Sequence, residues 1–351
     1  MKVAFDSRPA EQTRGVGRYS RCLLEALRDA QRGEIAETHD PRRCDVYHSP
    51  WMGGALVRSP VPMVVTLHDL TAFKRRAEYL RSGLRSKLRN LAVQRAVRVI
   101  VPTNAVADDA VRVLEIPVDR IAVIPEAAAP VFWPRPEDQV RAVRKRFALP
   151  ERYLLSVGGL HAPDPRQRVG ALARAHRTMA LVLVGPAGRW ARELADVQLT
   201  GAVSDDELAA IYTGAHALVF PHDDEGFGLT SVEALACGTP VAACDVPAVR
   251  EVLGGRAALS DVDDLDGLVH TAEALRRPAP APLPWTWGDA ANLTWNVYTE
   301  AVIAPAKWRG AQRRRGPRAV PDRASPARER PSGPVRERPS GPVRDRPGSA
   351  T

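Results

Sequence analysis

The segment from Ala217 to Leu253, ALVFPHDDEGFGLTSVEALACGTPVAACDVPAVREVL, limits what this chain can fold into more than any other. Ala217 to Phe220 is a short apolar run of the kind that forms a buried strand. Pro221 ends it, and a polar loop runs to Glu225. After Gly226-Phe227-Gly228, the apolar residues Leu229, Val232, Leu235 and Ala236 recur at helical spacing. Gly238-Thr239-Pro240 stops that helix, and Val241 to Cys244 reads as the next strand. Strand, loop, helix and strand in this order form one unit of a parallel sheet, which makes the chain an α/β protein.

The loop carries the chemistry. Glu225 stands before a glycine turn at the carboxyl end of a strand, where open α/β sheets bind their ligands. The amides of Gly228, Leu229 and Thr230 open the helix and have no carbonyl partner within it, so they can receive a phosphate. Glu233 follows one to two turns later. Carboxylates accept from hydroxyls and N–H groups donate to a diphosphate, so the set suits a sugar nucleotide. An ordinary turn followed by a surface glutamate is the competing reading of the same residues.

Together, Glu225-Gly226-Phe227-Gly228 and, with seven residues between the two glutamates, the run from Glu233 through Gly238-Thr239-Pro240-Val241 resemble the donor-site signature of the family-four retaining glycosyltransferases. Glu251-Val252 resembles that family's "PEV" element. The resemblance implies the GT-B fold: two facing Rossmann-like domains, each with a parallel sheet, and a cleft between them. It implies that Glu225 touches the transferred sugar and Glu233 the ribose hydroxyls, with Gly226, Phe227, Gly228, Leu229 and Thr230 on the donor.

Other segments extend the resemblance. Gly15-Val16-Gly17-Arg18-Tyr19 is similar to the "GxGRY" loop of mannosyltransferase-like members. This implies Gly15 and Gly17 lining the cleft on the donor, Arg18 and Tyr19 near the acceptor, and GDP-mannose as the donor. Met63 to Leu67 reads as a strand that delivers His68-Asp69 to the sheet edge, and it resembles the "T-x-HD" element whose histidine contacts the donor sugar. After the strand Tyr153 to Val157, the family places an Arg following a glycine and a Lys a few positions on. This chain has Gly159 and Gln167 there, so the resemblance passes the charge on the diphosphate to Arg166 or Arg168. Gly201 to Leu208 resembles the "G-x-V-S-D-x-E-L" element, with Ser204 as a helix cap and Glu207 three residues on.

The domains expected are 1–148, completed by a C-terminal helix at 288–303, and 149–287, with an Arg/Pro-rich disordered tail at 304–351. The first lobe looks trimmed, because 31–44 is polar and shows no strand and helix repeat. The segment from Pro125 to Pro150 reads as the connection between lobes. Asp261, Asp263 and Asp264 read as a helix start, not a metal site, and neither metal nor cofactor is expected beside the nucleotide-sugar substrate.

The net charge of +9 has to be located before it is interpreted. Thirteen Lys or Arg against four Asp or Glu lie from Ala304 onward, so the preceding 303 residues are neutral overall. Within the tail, Arg328 to Val335 repeats unchanged at 336–343. Such a segment buries too little apolar surface to fold. Tyr79 to Arg95 reads as a basic amphipathic helix with Leu80, Leu84, Leu88 and Leu91 as its stripe. A solvated charged face explains it, and weak peripheral contact with an anionic membrane or a phosphorylated acceptor is the alternative. No specific nucleic-acid partner is expected. The amino terminus reads as a strand and not as a secretory signal, no apolar run spans a bilayer, and the four cysteines lack metal spacing. A cytoplasmic protein with reduced thiols follows.

Overall fold

The computed structural model describes residues 1–12, 15–74 and 87–304. The basic tail from 305 onward and the segment 75–86, which includes Leu80 and Leu84, lie outside the described residues.

Among the described residues, twelve short strands form two parallel sheets. The first contains β1 (Lys2–Phe5), β2 (Glu34–Glu37), β3 (Val46–Ser49), β4 (Met63–Thr66), β5 (Arg98–Val101) and β6 (Ile121–Val123), in the order β2-β1-β3-β4-β5-β6. The second contains β7 (Tyr153–Val157), β8 (Ala180–Val184), β9 (Val197–Gly201), β10 (Ala217–Phe220), β11 (Val241–Cys244) and β12 (Ala258–Ser260), in the order β12-β11-β10-β7-β8-β9. The second order is that of a complete doubly wound sheet, which reverses between β7 and β10. The first sheet reverses between β1 and β3 and carries one strand fewer on one side. Both are two Rossmann-like sheets of an α/β GT-B fold, as the sequence implies.

Both faces of each sheet are covered, as parallel sheets require. The helices used below are α1 (Val16–Asp29), α2 (Asn104–Leu114), α3 (Glu137–Arg146), α4 (Asp205–Gly214), α5 (Leu229–Ala236), α6 (Pro247–Leu253) and α7 (Trp287–Ile303). Helix α1 buries Leu23, Leu24 and Leu27, its predicted stripe, against Val3, Phe5 and α7. Helix α7 begins in a capping box between Thr286 and Asp289 and returns to the first sheet. There Trp295 and Tyr298 are buried, and the Trp295 indole donates to the Leu27 carbonyl at 3.2 Å. Ser204 and Glu207 form the expected capping box at the start of α4, and Asp264 caps its own helix through Gly267 N.

Three expectations are corrected. Residues 31–44 do contain a strand, β2, which pairs with β1 in register from Lys2↔Glu34 to Phe5↔Glu37. Its ends are charged and exposed, so no apolar alternation announces it. The connection around Pro125 to Pro150 contains helix α3, which packs on α4. Leu88 and Leu91 are exposed, at 46% and 39%, whereas Ala92 and Val93 are buried. In the described part of that helix, from residue 87, Ala92 and Val93 thus face inward and Leu88 and Leu91 do not. Among the described residues, no helix is long and apolar enough to cross a membrane. All four cysteines are free, with Cys237 and Cys244 buried.

Candidate active site

A cavity of about 310 Å³ lies between the two sheets and is lined from both lobes. The first lobe contributes Gly15, Val16, Arg18, His68, Asp69 and Glu126. The second contributes Gly158, Gly159, Arg166, Gln167, His222, Glu225 and the start of α5 with Glu233. The second-lobe residues follow β7 and β10, the two strands that flank the reversal of that sheet.

Glu225 closes the loop after β10. His222 Nδ1 lies 2.8 Å from one carboxylate oxygen, and Gly226 N donates to the other at 3.0 Å. Burial would raise its pKa, but the hydrogen bond and charge of His222, the Gly226 amide and Arg166 together hold it below the usual carboxylate value. Glu225 is therefore an anion at neutral pH. Gly228, at the N-cap of α5, has φ of +85°, a left-handed conformation that suits glycine, and no side chain caps the helix. The amides of Leu229 and Thr230 thus open the helix uncapped, with the positive end of its dipole toward the cavity.

Arg166 is the cation of the second lobe. It reaches Asp164 at 2.9 Å and, across the cleft, Asp69 at 3.2 Å. Burial opposes its charge, but the two aspartates outweigh burial and raise its pKa further. Arg168 is a correction: its guanidinium is spent on the Val262 carbonyl, beside the Cys244 sulfur, and does not line the cavity. Arg168 itself adopts φ of +51° as it leads into the short helix from Val169, which turns its side chain away. Of the two candidate arginines, only Arg166 faces the cleft. Gln167 lines it too, and its buried Oε1 has no hydrogen-bond partner.

His68 comes from the carboxyl edge of the first sheet. Its Nδ1 lies 2.9 Å from Glu126 and its Nε2 lies 2.9 Å from the Pro50 carbonyl. A carbonyl can only accept, so Nε2 carries a proton. Burial would lower the pKa of His68, but Glu126 overrides it and leaves the ring above the ordinary histidine value. Sequence reasoning missed Glu126 and His222. Glu126 stands far from His68 in the chain and has no motif of its own, whereas His222 precedes Glu225 by three residues and was legible as a loop partner.

Tyr19 is corrected in role. Arg18 and Tyr19 are both buried, at 2% and 3% exposure, but Arg18 lines the cavity and its Nε has no hydrogen-bond partner among the described residues, whereas Tyr19 does not line the cavity. Arg18 crosses the cleft to ion-pair with Glu233 on α5 and Asp205 on α4, and its guanidinium lies 4.8 Å from the Phe132 ring centre. Glu233, fully buried, also accepts from the Tyr212 hydroxyl at 3.2 Å. Tyr19 hydrogen-bonds Thr66 at 3.0 Å and meets the His68 ring edge-on at 4.5 Å. Gly17 and Gly226 do not line the cavity. A Cβ on Gly17 would lie 2.0 Å from the Gln12 carbonyl oxygen, and one on Gly226 would lie 1.7 Å from the His68 carbonyl oxygen. Their role is close backbone approach, within the first lobe and between lobes respectively.

Residues 151–277 match the family described as glycosyl transferases group 1, and residues 11–128 match Glycosyltransferase Family 4. The chain is a family-four glycosyltransferase. Among its curated relatives is a D-inositol 3-phosphate glycosyltransferase of Mycolicibacterium smegmatis, 32% identical over 299 residues, covering 76% of this chain and 68% of the relative. An O-antigen chain mannosyltransferase B of Escherichia coli is 26% identical over 290 residues, covering 74% and 73%. Among solved structures, a sucrose-phosphate synthase of Thermosynechococcus elongatus superposes with a TM-score of 0.64 over 89% of this chain and 99% of that one, at 20% identity. That last likeness concerns the fold alone. For this glycosyltransferase, the two family matches fall on the two sheets, and the cavity lies between them.

Proposed function

We propose that this glycosyltransferase is a retaining, metal-independent enzyme that moves a hexose from a nucleotide sugar to a hydroxyl acceptor, with GDP-mannose as the first donor to test. One observation carries the reading: the anionic Glu225, the cationic Arg166, His68 and the uncapped start of α5 converge on one cavity at the reversal point of the second sheet. Such a set offers acceptors for sugar hydroxyls and donors for a diphosphate in one place. The mannose choice draws on the Gly15 to Tyr19 loop and the O-antigen mannosyltransferase relative.

In the proposed step, the bond between the anomeric carbon and the diphosphate oxygen breaks as the acceptor oxygen bonds to the same face of that carbon. The acceptor proton passes to the departing phosphate oxygen. Charge builds on the diphosphate, and Arg166 together with the amides of Leu229 and Thr230 stabilises it. Glu126 and the Pro50 carbonyl hold the His68 ring at the cavity wall, and Glu225 orients the sugar without attacking it. Fixed positive groups fill the role a cation would have, which is the basis for metal independence.

The test is a titration of purified protein with GDP, UDP and ADP and their common hexose conjugates, followed by transfer assays with and without a chelator. Tight binding of one nucleotide sugar, its slow hydrolysis and full activity in chelator support the reading. Absence of binding to every member of the panel overturns it.

A further inference from the structure

Glu225 brings a partner into the cavity. His222 stands three residues before it in the same loop, lines the same cavity, and is held in one orientation by three restraints. The backbone is tied at Asp223, whose N donates to the Arg166 carbonyl at 3.1 Å and joins the loop after β10 to the loop after β7. The ring stacks on Phe220, with centroids 3.9 Å apart and planes inclined by 31°. Its Nδ1 lies 2.8 Å from the Glu225 carboxylate.

The contact with Glu225 assigns a task to each ring nitrogen. A charged carboxylate can only accept, so Nδ1 carries the proton in this contact. Nε2 is the nitrogen left over. Among the described residues no hydrogen bond is made to it, and 12% of the side chain stays exposed. A neutral ring presents a lone pair at Nε2, and a charged ring presents an N–H. A hydroxyl both donates and accepts, so it can meet Nε2 in either state. A phosphate needs the charged ring and must also approach the Glu225 anion beside it.

The groups suited to phosphate lie next door. A Cβ on Gly228, the N-cap of α5, would stand 3.6 Å from the Phe220 ring and 3.8 Å from Glu225 Cγ. The amides that open α5 therefore adjoin the cluster of Phe220, His222 and Glu225. In a sugar nucleotide the diphosphate and the hexose share a bridging oxygen. The cavity has the same order, with N–H donors at the helix start and the Glu225 and His222 side chains beside them.

We infer that His222 Nε2 hydrogen-bonds a hydroxyl of the transferred hexose, next to the hydroxyl held by Glu225, and so takes part in choosing the sugar. The Nδ1 side of the ring positions Glu225, and the Nε2 side reads the ligand. The inference rests on the nucleotide-sugar reading of the cavity given above and adds a specificity-determining residue to it.

The full chain is titrated calorimetrically with GDP and GDP-mannose, and with UDP and UDP-glucose. Two variants separate the two sides of the ring. His222→Asn keeps an amide N–H near the place of Nδ1 and has nothing at the place of Nε2, whereas His222→Gln reaches the place of Nε2 and gives up the Nδ1 contact. For the pair that binds the wild type, His222→Asn should weaken the nucleotide sugar about fivefold or more relative to its nucleoside diphosphate, whose own affinity stays within about twofold. His222→Gln should keep more of the sugar's share than His222→Asn does. The opposite order would mean that the ring only holds Glu225, and equal losses for diphosphate and nucleotide sugar would mean a general disturbance of the loop; either result overturns the inference. In the wild type, the Nε2 resonance of His222, assigned by its loss in His222→Asn, should move more on adding the nucleotide sugar than on adding the diphosphate, and one that does not overturns it without any variant. Failure of all four probes to bind the wild type would instead overturn the donor reading.

Discussion

Arg18 on the first lobe and Glu233 on the second form a buried ion pair across the cleft, and each is nearly or completely hidden from solvent. Breaking such a pair leaves a charge with no solvent to compensate it. Arg18→Ala should destabilise the protein by about 3–5 kcal/mol. Arg18→Ala with Glu233→Gln should recover much of that loss, because the stranded carboxylate is removed. Urea unfolding of the two variants and the wild type tests the coupling, and equal losses in single and double variants would refute it.

Gly226 approaches the His68 carbonyl so closely that no side chain fits. Thr103 Oγ1 donates to the Gly226 carbonyl at 3.0 Å in the same contact. Gly226→Ala is therefore expected to push the lobes apart, at a cost of about 1–3 kcal/mol, and to lower transfer activity more than nucleotide binding. Small-angle scattering should record a larger radius of gyration for the variant.

The second lobe also caps a helix of the first. The Glu251 carboxylate accepts from Asn104 N at 2.8 Å, Asn104 Nδ2 at 2.9 Å and Ala105 N at 3.1 Å, at the start of α2. Glu251→Ala should cost about 0.5–2 kcal/mol, the range of a lost N-terminal cap. Hydrogen exchange should quicken at Asn104 and Ala105, with little change at the start of α4, which keeps its own capping box.

The His68–Glu126 pair gives a pH dependence with a definite sign. The folded pKa of His68 lies above its ordinary value, so its stabilising contribution is complete below about 6.5. That contribution is lost as pH rises through the raised folded value. The stability difference between wild type and His68→Gln should therefore be largest in mild acid and shrink toward alkaline pH. A difference that grew with pH would show that the ring is neutral in the fold.

Gln167 stands in the cavity where the family resemblance leads one to expect a lysine, and its buried Oε1 has no partner. Gln167→Lys places a second cation near Arg166, whose own charge is shared with Asp69 and Asp164. A charge-assisted contact to a diphosphate should tighten nucleoside diphosphate binding about tenfold. Calorimetric titration with the preferred nucleotide measures it.

Local pattern made much of this legible. The strand, turn and helix around Glu225 and the capping box at Ser204 follow from neighbours in sequence, the return of helix α7 follows from the family resemblance, and each is present. The pairings across the cleft were not legible. Arg18 with Glu233, His68 with Glu126 and Arg166 with Asp69 join residues from distant segments, and no spacing encodes which charged groups will meet. Arg166 and Arg168 are equivalent on paper. The backbone turn at Arg168, with its positive φ, is what separates them.

Strand β2 closes the first sheet on the side where the second sheet has two strands, β8 and β9. As an edge strand, β2 offers its outer row of N–H and C=O groups to any passing chain. Here that row begins and ends in glutamates, with Glu34 paired to Lys2 at 2.5 Å and Glu37 to Arg28. Charged side chains on an open border discourage intermolecular pairing, so electrostatics guards this edge of the first sheet.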